Sequence, residues 1–194
     1  PILVRISEIQ GGLIKRVMDV GADGIVVPYV RSAAEVAEAV GYAKYPPEGV
    51  RGIGAERSTR WGQGILQCVP RANENSLVWV MMETVEAGDR IDQILDVPGV
   101  DAVFFGLHDY SATSGFPGTA DQAPVMKRAM EIQQRVRDRR VPSGILASER
   151  ADIQRRLDEG FRMIGLGFDT MLLVQAATQA LEAAGRKVPE SAWY

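Results

Sequence analysis

Histidine and cysteine are almost missing from this chain: its 194 residues contain one of each, His108 and Cys68. A lone cysteine excludes a disulfide within the chain and a thiolate zinc cluster, and it fits a reducing, cytoplasmic setting. No nucleophile elbow is present, so Ser-His-Asp catalysis has no support. Charge of one sign is also scarce. Lys and Arg number 22 against 25 Asp and Glu, a net charge of −3, so nothing suggests a nucleic-acid surface. The one basic stretch, KRAMEIQQRVRDRR (127–140), has helix-like spacing and reads as a solvated outer face. No apolar run approaches the roughly 18 residues needed to span a bilayer, and no secretory leader is visible. Neither a membrane nor a nucleic acid is an expected partner.

What is present is a regular alternation. The chain is 46% hydrophobic and 24% charged, which suits one globular domain with a sizeable core. Short apolar runs occur at 2–6, 24–29, 77–82, 101–106, 143–147 and 162–167. They are continuous rather than alternating and rich in Val, Ile and Phe, the pattern of strands buried on both faces of a parallel sheet. Amphipathic segments at 11–20, 33–43, 86–95, 122–139, 149–158 and 169–184 follow them. This is a series of βα units with right-handed crossovers. Three joints, VGADGIVV, VPGVDAVFF and DEGFRMIGL, repeat a glycine, a polar residue and a strand; the glycine is placed to end a helix in the left-handed conformation. The segment 45–64 reads as a long glycine-rich loop inside the domain, its arginines (Arg51, Arg57, Arg60) only weakly like an anion loop.

Six βα units suit either a doubly wound sheet or part of an eightfold barrel. A complete (β/α)8 TIM barrel takes about 250 residues. With the bare strand that follows Pro1, the shortfall leads to the expectation of a single α/β barrel domain, 1–194, lacking about its first two βα units.

In parallel α/β folds the site lies at the carboxyl ends of the strands. Glu83 and Asp109 both sit there, 26 positions apart on consecutive strands. Carboxylates held side by side repel unless a cation or proton lies between them. An all-oxygen donor set favours a hard divalent ion such as Mg²⁺ or Mn²⁺. The alternative is that Glu83 and Asp109 cap the segments that follow them. Arg5, at the end of the first strand, must be paired; it either clamps an anion or closes a structural salt bridge. His108 is a candidate base, although adjacent residues at a strand end usually point apart.

The stretches YPPEGVRGIG, ANENSLVWVMMETVEAGDRIDQILDVPGVDAVFFGLHDYSATSG and GFDTMLL resemble the HpcH/HpaI aldolase and citrate lyase superfamily, above all its metal-dependent pyruvate aldolases. The resemblance runs from about Leu3 to Leu181. It implies a (β/α)8 barrel entered at the third strand, with Glu83 and Asp109 binding Mg²⁺, Mn²⁺ or Co²⁺. It further implies Arg5 beside the keto oxygen of pyruvate and the backbone N–H groups of His108 and Asp109 at the substrate carboxylate. Arg5, His108, Asp109 and Leu146 are the expected substrate-binding positions. The implied reaction is retro-aldol cleavage of a 4-hydroxy-2-oxo acid to pyruvate and an aldehyde, by a hexamer built as a trimer of dimers. Asp19 matches an aspartate that approaches a neighbouring subunit's site; read locally it is a surface acid at a helix end. The chain departs from the family at GLHDYSA, where GPADLSA is usual, so that Leu107 and His108 alter the pocket rim, and at VMMET, where Met81 replaces a glutamine. The family's catalytic histidine falls in the two units expected to be missing, and His108 does not match it. Those departures keep three alternatives open: a lyase of coenzyme A thioesters, a macrophomate-synthase-like decarboxylase, and an inactive binding subunit.

Overall fold

The computed structural model describes residues 1–118, 122–147 and 149–187. Six strands form one parallel sheet in sequence order: β1 (Leu3–Arg5), β2 (Gly24–Val27), β3 (Leu77–Met82), β4 (Ala102–Phe105), β5 (Ser143–Leu146) and β6 (Met163–Gly165). The sheet curls into a half-barrel. All six expected strands are present, shortened by up to three residues where flanking residues turn away, as at Pro28.

The helices are α1 (Gly11–Asp19), α2 (Ala33–Ala43), α3 (Ile65–Asn75), α4 (Val85–Asp89), α5 (Ile91–Leu95), α6 (Leu107–Thr113), α7 (Ala123–Asp138), α8 (Arg150–Asp158) and α9 (Asp169–Ala183). The single helix expected over 86–95 is two short ones, broken at Arg90, whose φ of −105° and ψ of 17° leave the helical region. Helices α3 and α6 were not anticipated. Pro70 inside α3 masks a helical pattern, and α6 starts directly after β4 with no polar linker.

The repeated joints behave as expected. Gly21, Gly99 and Gly160 have φ of 99°, 93° and 91°, conformations that glycine takes without steric cost. In two joints the acid two positions later ties the adjacent strand: Asp23 accepts the Ile2 N–H at 2.6 Å and Asp101 accepts the Val78 N–H at 2.7 Å. At Gly21 the motif both ends a helix and fixes strand register; Gly99, four residues beyond α5, turns the loop that leads into β4.

The expectation that strands are buried on both faces is corrected. Alternate residues Ile25, Val27, Val78, Val80, Met82, Val103, Phe105 and Ile145 are buried and form one core with Ile14, Val36, Ile91, Ile94 and Ile132 of the helices. Their in-between neighbours Val26, Trp79, Met81 and Phe104 are only partly covered. Side chains alternate across a strand, and among the described residues the helices cover one face while the concave face carries no second layer. The basic helix α7 turns Val125, Ala129, Ile132 and Val136 inward. Its arginines are not merely solvated: half-buried Arg128 and Arg135 and exposed Arg139 pair with Asp89, Asp92 and Asp96 of the α4–α5 region.

The long 45–64 segment contains a 3-10 turn, Arg57–Thr59. Its Arg51 is buried, stacks 4.5 Å over the Tyr45 ring and donates to Asp19 Oδ1 at 2.7 Å. Arg51 therefore anchors the loop to α1 and is committed to a carboxylate of the chain itself.

Candidate active site

All strands are parallel, so residues that follow them gather at one rim. Register sets the neighbours there. Met82 pairs with Phe105 across β3 and β4, so the next residues, Glu83 and Gly106, sit side by side. A Cβ on Gly106 would lie 2.8 Å from Glu83 Oε2 and 3.1 Å from Glu83 Cβ. The absence of a side chain at Gly106 leaves room for the carboxylate, which any added Cβ would force to shift. Met81 lines the same place, its methyl group 3.4 Å from that Cβ position, where a glutamine would offer hydrogen bonds.

Glu83 is fully buried. Its Oε1 accepts the main-chain N–H of Tyr29 at 2.7 Å and lies 4.0 Å from the Arg5 guanidinium, which is 54% exposed. Its Oε2 is buried and has no hydrogen-bond partner. Burial pushes the Glu83 carboxyl above its ordinary range; the Tyr29 N–H and Arg5 oppose this, and the charge of Asp109 adds to it. Thr84 caps α4 by accepting the Ala87 N–H and donates to the Val30 carbonyl at 2.9 Å. The capping alternative for Glu83 is therefore ruled out: Thr84 does that work.

Asp109 lies in the first turn of α6, where the helix dipole favours negative charge. Its Oδ1 accepts the Tyr29 hydroxyl at 2.8 Å. That bond raises the Tyr29 phenol pKa above its usual value, with burial and the Asp109 charge adding to the effect.

Tyr29 thus bridges the two acids, with its main chain on one and its side chain on the other. Nothing in the sequence reading pointed to it. The available signal was its position, two residues beyond the end of β2 at the same rim, in VVPYV.

The structure brings Arg5, Glu83 and Asp109 together and places the other candidates around them. His108 is exposed in the first turn of α6, its carbonyl accepting the Ser111 hydroxyl at 2.7 Å. Leu146 ends β5, 37% exposed, packed where a Cβ on Gly165 would lie. Asp19 is elsewhere. It is the last residue of α1, at the amino ends of the strands, and it is buried rather than a surface acid. Burial works to raise its pKa, but hydrogen bonds from Lys15 and Arg51 outweigh this and hold it below the ordinary range.

An all-oxygen pair with one buried, unpartnered oxygen has donor chemistry that suits a hard cation. Such an orphaned oxygen is costly unless a ligand satisfies it. Among the described residues no group of three or more His, Cys, Asp and Glu could hold a metal. Two carboxylates would leave the remaining positions of a hard divalent ion to water or substrate oxygens. Among the described residues, no helix is long and apolar enough to cross a membrane.

Comparison with known proteins assigns the family. Residues 1–176 match the HpcH/HpaI aldolase/citrate lyase family. A hydroxypyruvate/pyruvate aldolase of Roseovarius nubinhibens is 37% identical over 181 residues, covering 92% of this chain and 70% of that protein. A 4-hydroxy-2-oxo-heptane-1,7-dioate aldolase of Escherichia coli is 38% identical over 172 residues, covering 88% of this chain and 65% of that protein. The crystal structure of an HpcH/HpaI aldolase/citrate lyase family protein from Burkholderia cenocepacia J2315 superposes with a TM-score of 0.87 at 28% identity, over 94% of this chain and 73% of that one. The chain belongs to the HpcH/HpaI aldolase/citrate lyase family and so stands among enzymes that make and break carbon–carbon bonds.

Proposed function

We propose that this chain carries the enolate-stabilising half of a metal-dependent pyruvate aldolase, acting on a 4-hydroxy-2-oxo acid to give pyruvate and an aldehyde. The observation that carries the reading is the buried Glu83 whose Oε2 has no partner, linked through Tyr29 to Asp109. Glu83 and Asp109 would hold the divalent cation, Mg²⁺, Mn²⁺ or Co²⁺, which when bound supplies Lewis acidity to the 2-oxo acid.

In the cleavage direction a base takes the proton of the substrate's 4-hydroxyl, the C3–C4 bond breaks to release the aldehyde, and the bonding electron pair is left on the pyruvate enolate. Arg5 is half-exposed at the same rim, free to swing from Glu83 toward the oxygen on which that charge develops. The first-turn amides of α6, those of His108 and Asp109, point out of the helix end and would receive the substrate carboxylate. Leu146 would border the aldehyde side.

The curled parallel sheet, with its candidate residues at the carboxyl ends, supports reading it as six strands of a (β/α)8 barrel. The chain spans about two thirds of the length of the curated relatives it matches. Leu172 and Leu173 of α9, 57% and 71% exposed, support a homo-oligomer. The buried Asp19, whose two oxygens are held by Lys15 and Arg51, offers no free oxygen to a second copy and has no part in this reading.

Deuterium exchange into the pyruvate methyl group, with and without Mn²⁺, tests the assignment. Glu83→Gln and Asp109→Asn should each lower Mn²⁺-dependent exchange by about 10²–10³, the usual loss for one charge-stabilising contact. Exchange at the native rate without a divalent ion, or in either variant, refutes it.

A further inference from the structure

We propose that Tyr29 is the positioning residue of the acid pair: its N–H holds Glu83 by Oε1 and its hydroxyl holds Asp109 by Oδ1, so that the other oxygen of each carboxylate is the one offered to the cation. This rests on Glu83 and Asp109 being ligands, and it adds a residue and an atom-level assignment to that reading.

The geometry gives three reasons. The first is the pair of bonds, 2.7 Å to Glu83 and 2.8 Å to Asp109. Pro28 has no N–H, so Tyr29 provides the first main-chain donor after β2, and that donor goes to the buried acid. The second is the backbone. Tyr29 has a φ of 50°, a left-handed conformation that costs an L residue roughly 1–2 kcal/mol. The costly turn is latched at both ends by neighbours on β3's exit: Glu83 accepts from Tyr29, and the Thr84 hydroxyl donates to the Val30 carbonyl. Strain kept in place by such bonds gathers at functional sites. The third is what is left over. With Oε1 engaged, Oε2 is the orphan, on the side that Gly106 keeps free of a Cβ.

The chemistry of the donor also fits. A lysine or arginine at this position would neutralise Asp109 and compete with a cation. A phenol fixes the carboxylate and leaves its charge intact. Hydrogen bonds behind a ligand commonly govern metal affinity by 10- to 100-fold.

The test uses the full chain stripped with EDTA, titrated with Mn²⁺ and followed by the free-ion electron paramagnetic resonance signal. Tyr29→Phe should bind Mn²⁺ about tenfold more weakly, with the metal-free melting temperature unchanged. At saturating Mn²⁺ its pyruvate exchange should return to near the native rate, because the hydroxyl touches no reacting atom. Tyr29→Met, which also keeps the N–H and lacks the hydroxyl, should match it and serves if the Phe variant does not fold. Native affinity in both variants, beside lost binding in Glu83→Gln, overturns the role of Tyr29 and leaves the ligand assignment standing. Equal binding by native protein and Glu83→Gln removes the ligand assignment and this inference with it. Weaker binding accompanied by a large fall in metal-free melting temperature places Tyr29 in the scaffold and likewise overturns the proposal.

Discussion

Glu83→Gln separates folding from cation binding because the side chain keeps its shape and loses its charge. Without metal, opposing effects nearly cancel. The amide oxygen can still accept the Tyr29 N–H now bound at 2.7 Å, and the burial that disfavours the carboxylate no longer acts on a charge. Against this, an amide nitrogen replaces the unpartnered Oε2, and a buried unpaired donor costs about 1–3 kcal/mol. The Arg5 contact, at 4.0 Å with the guanidinium 54% exposed, contributes at most about 1 kcal/mol. For a chain of this size, 1 kcal/mol shifts the melting temperature by about 2–4 °C, so the metal-free proteins should melt within a few degrees of each other. Mn²⁺ at a hundredfold its Kd stabilises the native protein by about 2.7 kcal/mol, or roughly 5–11 °C. If the variant binds a hundredfold more weakly, the same concentration adds only about 0.4 kcal/mol. Scanning calorimetry with and without Mn²⁺ reads the difference directly. Equal upward shifts in both proteins, or none in the native chain at any Mn²⁺ concentration, would show that Glu83 is not a ligand.

Gly106→Ala should disturb the same carboxylate from the other side: a methyl group 2.8 Å from Oε2 must push it, at about 1–3 kcal/mol of overpacking, and calorimetric titration should show weakened Mn²⁺ binding. The pH dependence has a definite sign. Glu83's folded pKa is raised, so its contribution to metal-free stability is fully present below the unfolded value of about 4.3 and is lost as pH rises through the folded one; urea unfolding of native protein minus Glu83→Gln across that range should fall with pH, and a rising difference would contradict the burial argument. Asp19→Asn should cost about 3–5 kcal/mol in urea unfolding, because it leaves the buried Arg51 guanidinium without its carboxylate; a loss below 1 kcal/mol would show that the pair is screened.

Hydrophobic runs and glycine joints made the architecture legible. Strand β3 and helix α2 match their expected bounds because continuous apolar residues and a Ser32 cap mark them sharply. The acids were legible too, since a carboxylate ending an apolar strand is conspicuous. The rest depended on facts that local patterns do not carry. Pro70 hides α3, and α6 begins without a linker. One-sided coverage of the sheet is a property of the layers, not of any strand. Tyr29 escaped notice because its role is carried half by its backbone, and a turn to φ 50° leaves no mark on an aromatic residue's identity. Arg51 shows the same limit: its loop was only weakly like an anion loop, and nothing local marks its carboxylate partner, which lies 32 positions away.

The two bonds of Tyr29 cross 54 and 80 positions of sequence. An ion seated between the acids would act as a rivet between β3 and β4: an opening that parts those two strands must first let it go, whereas one that parts β2 from β3 breaks only the Tyr29 bonds behind the ligands. Its stabilisation would fall on the middle of the sheet alone. The β6–α9 end holds neither of the proposed ligands and would fray as readily with the ion in place as without it.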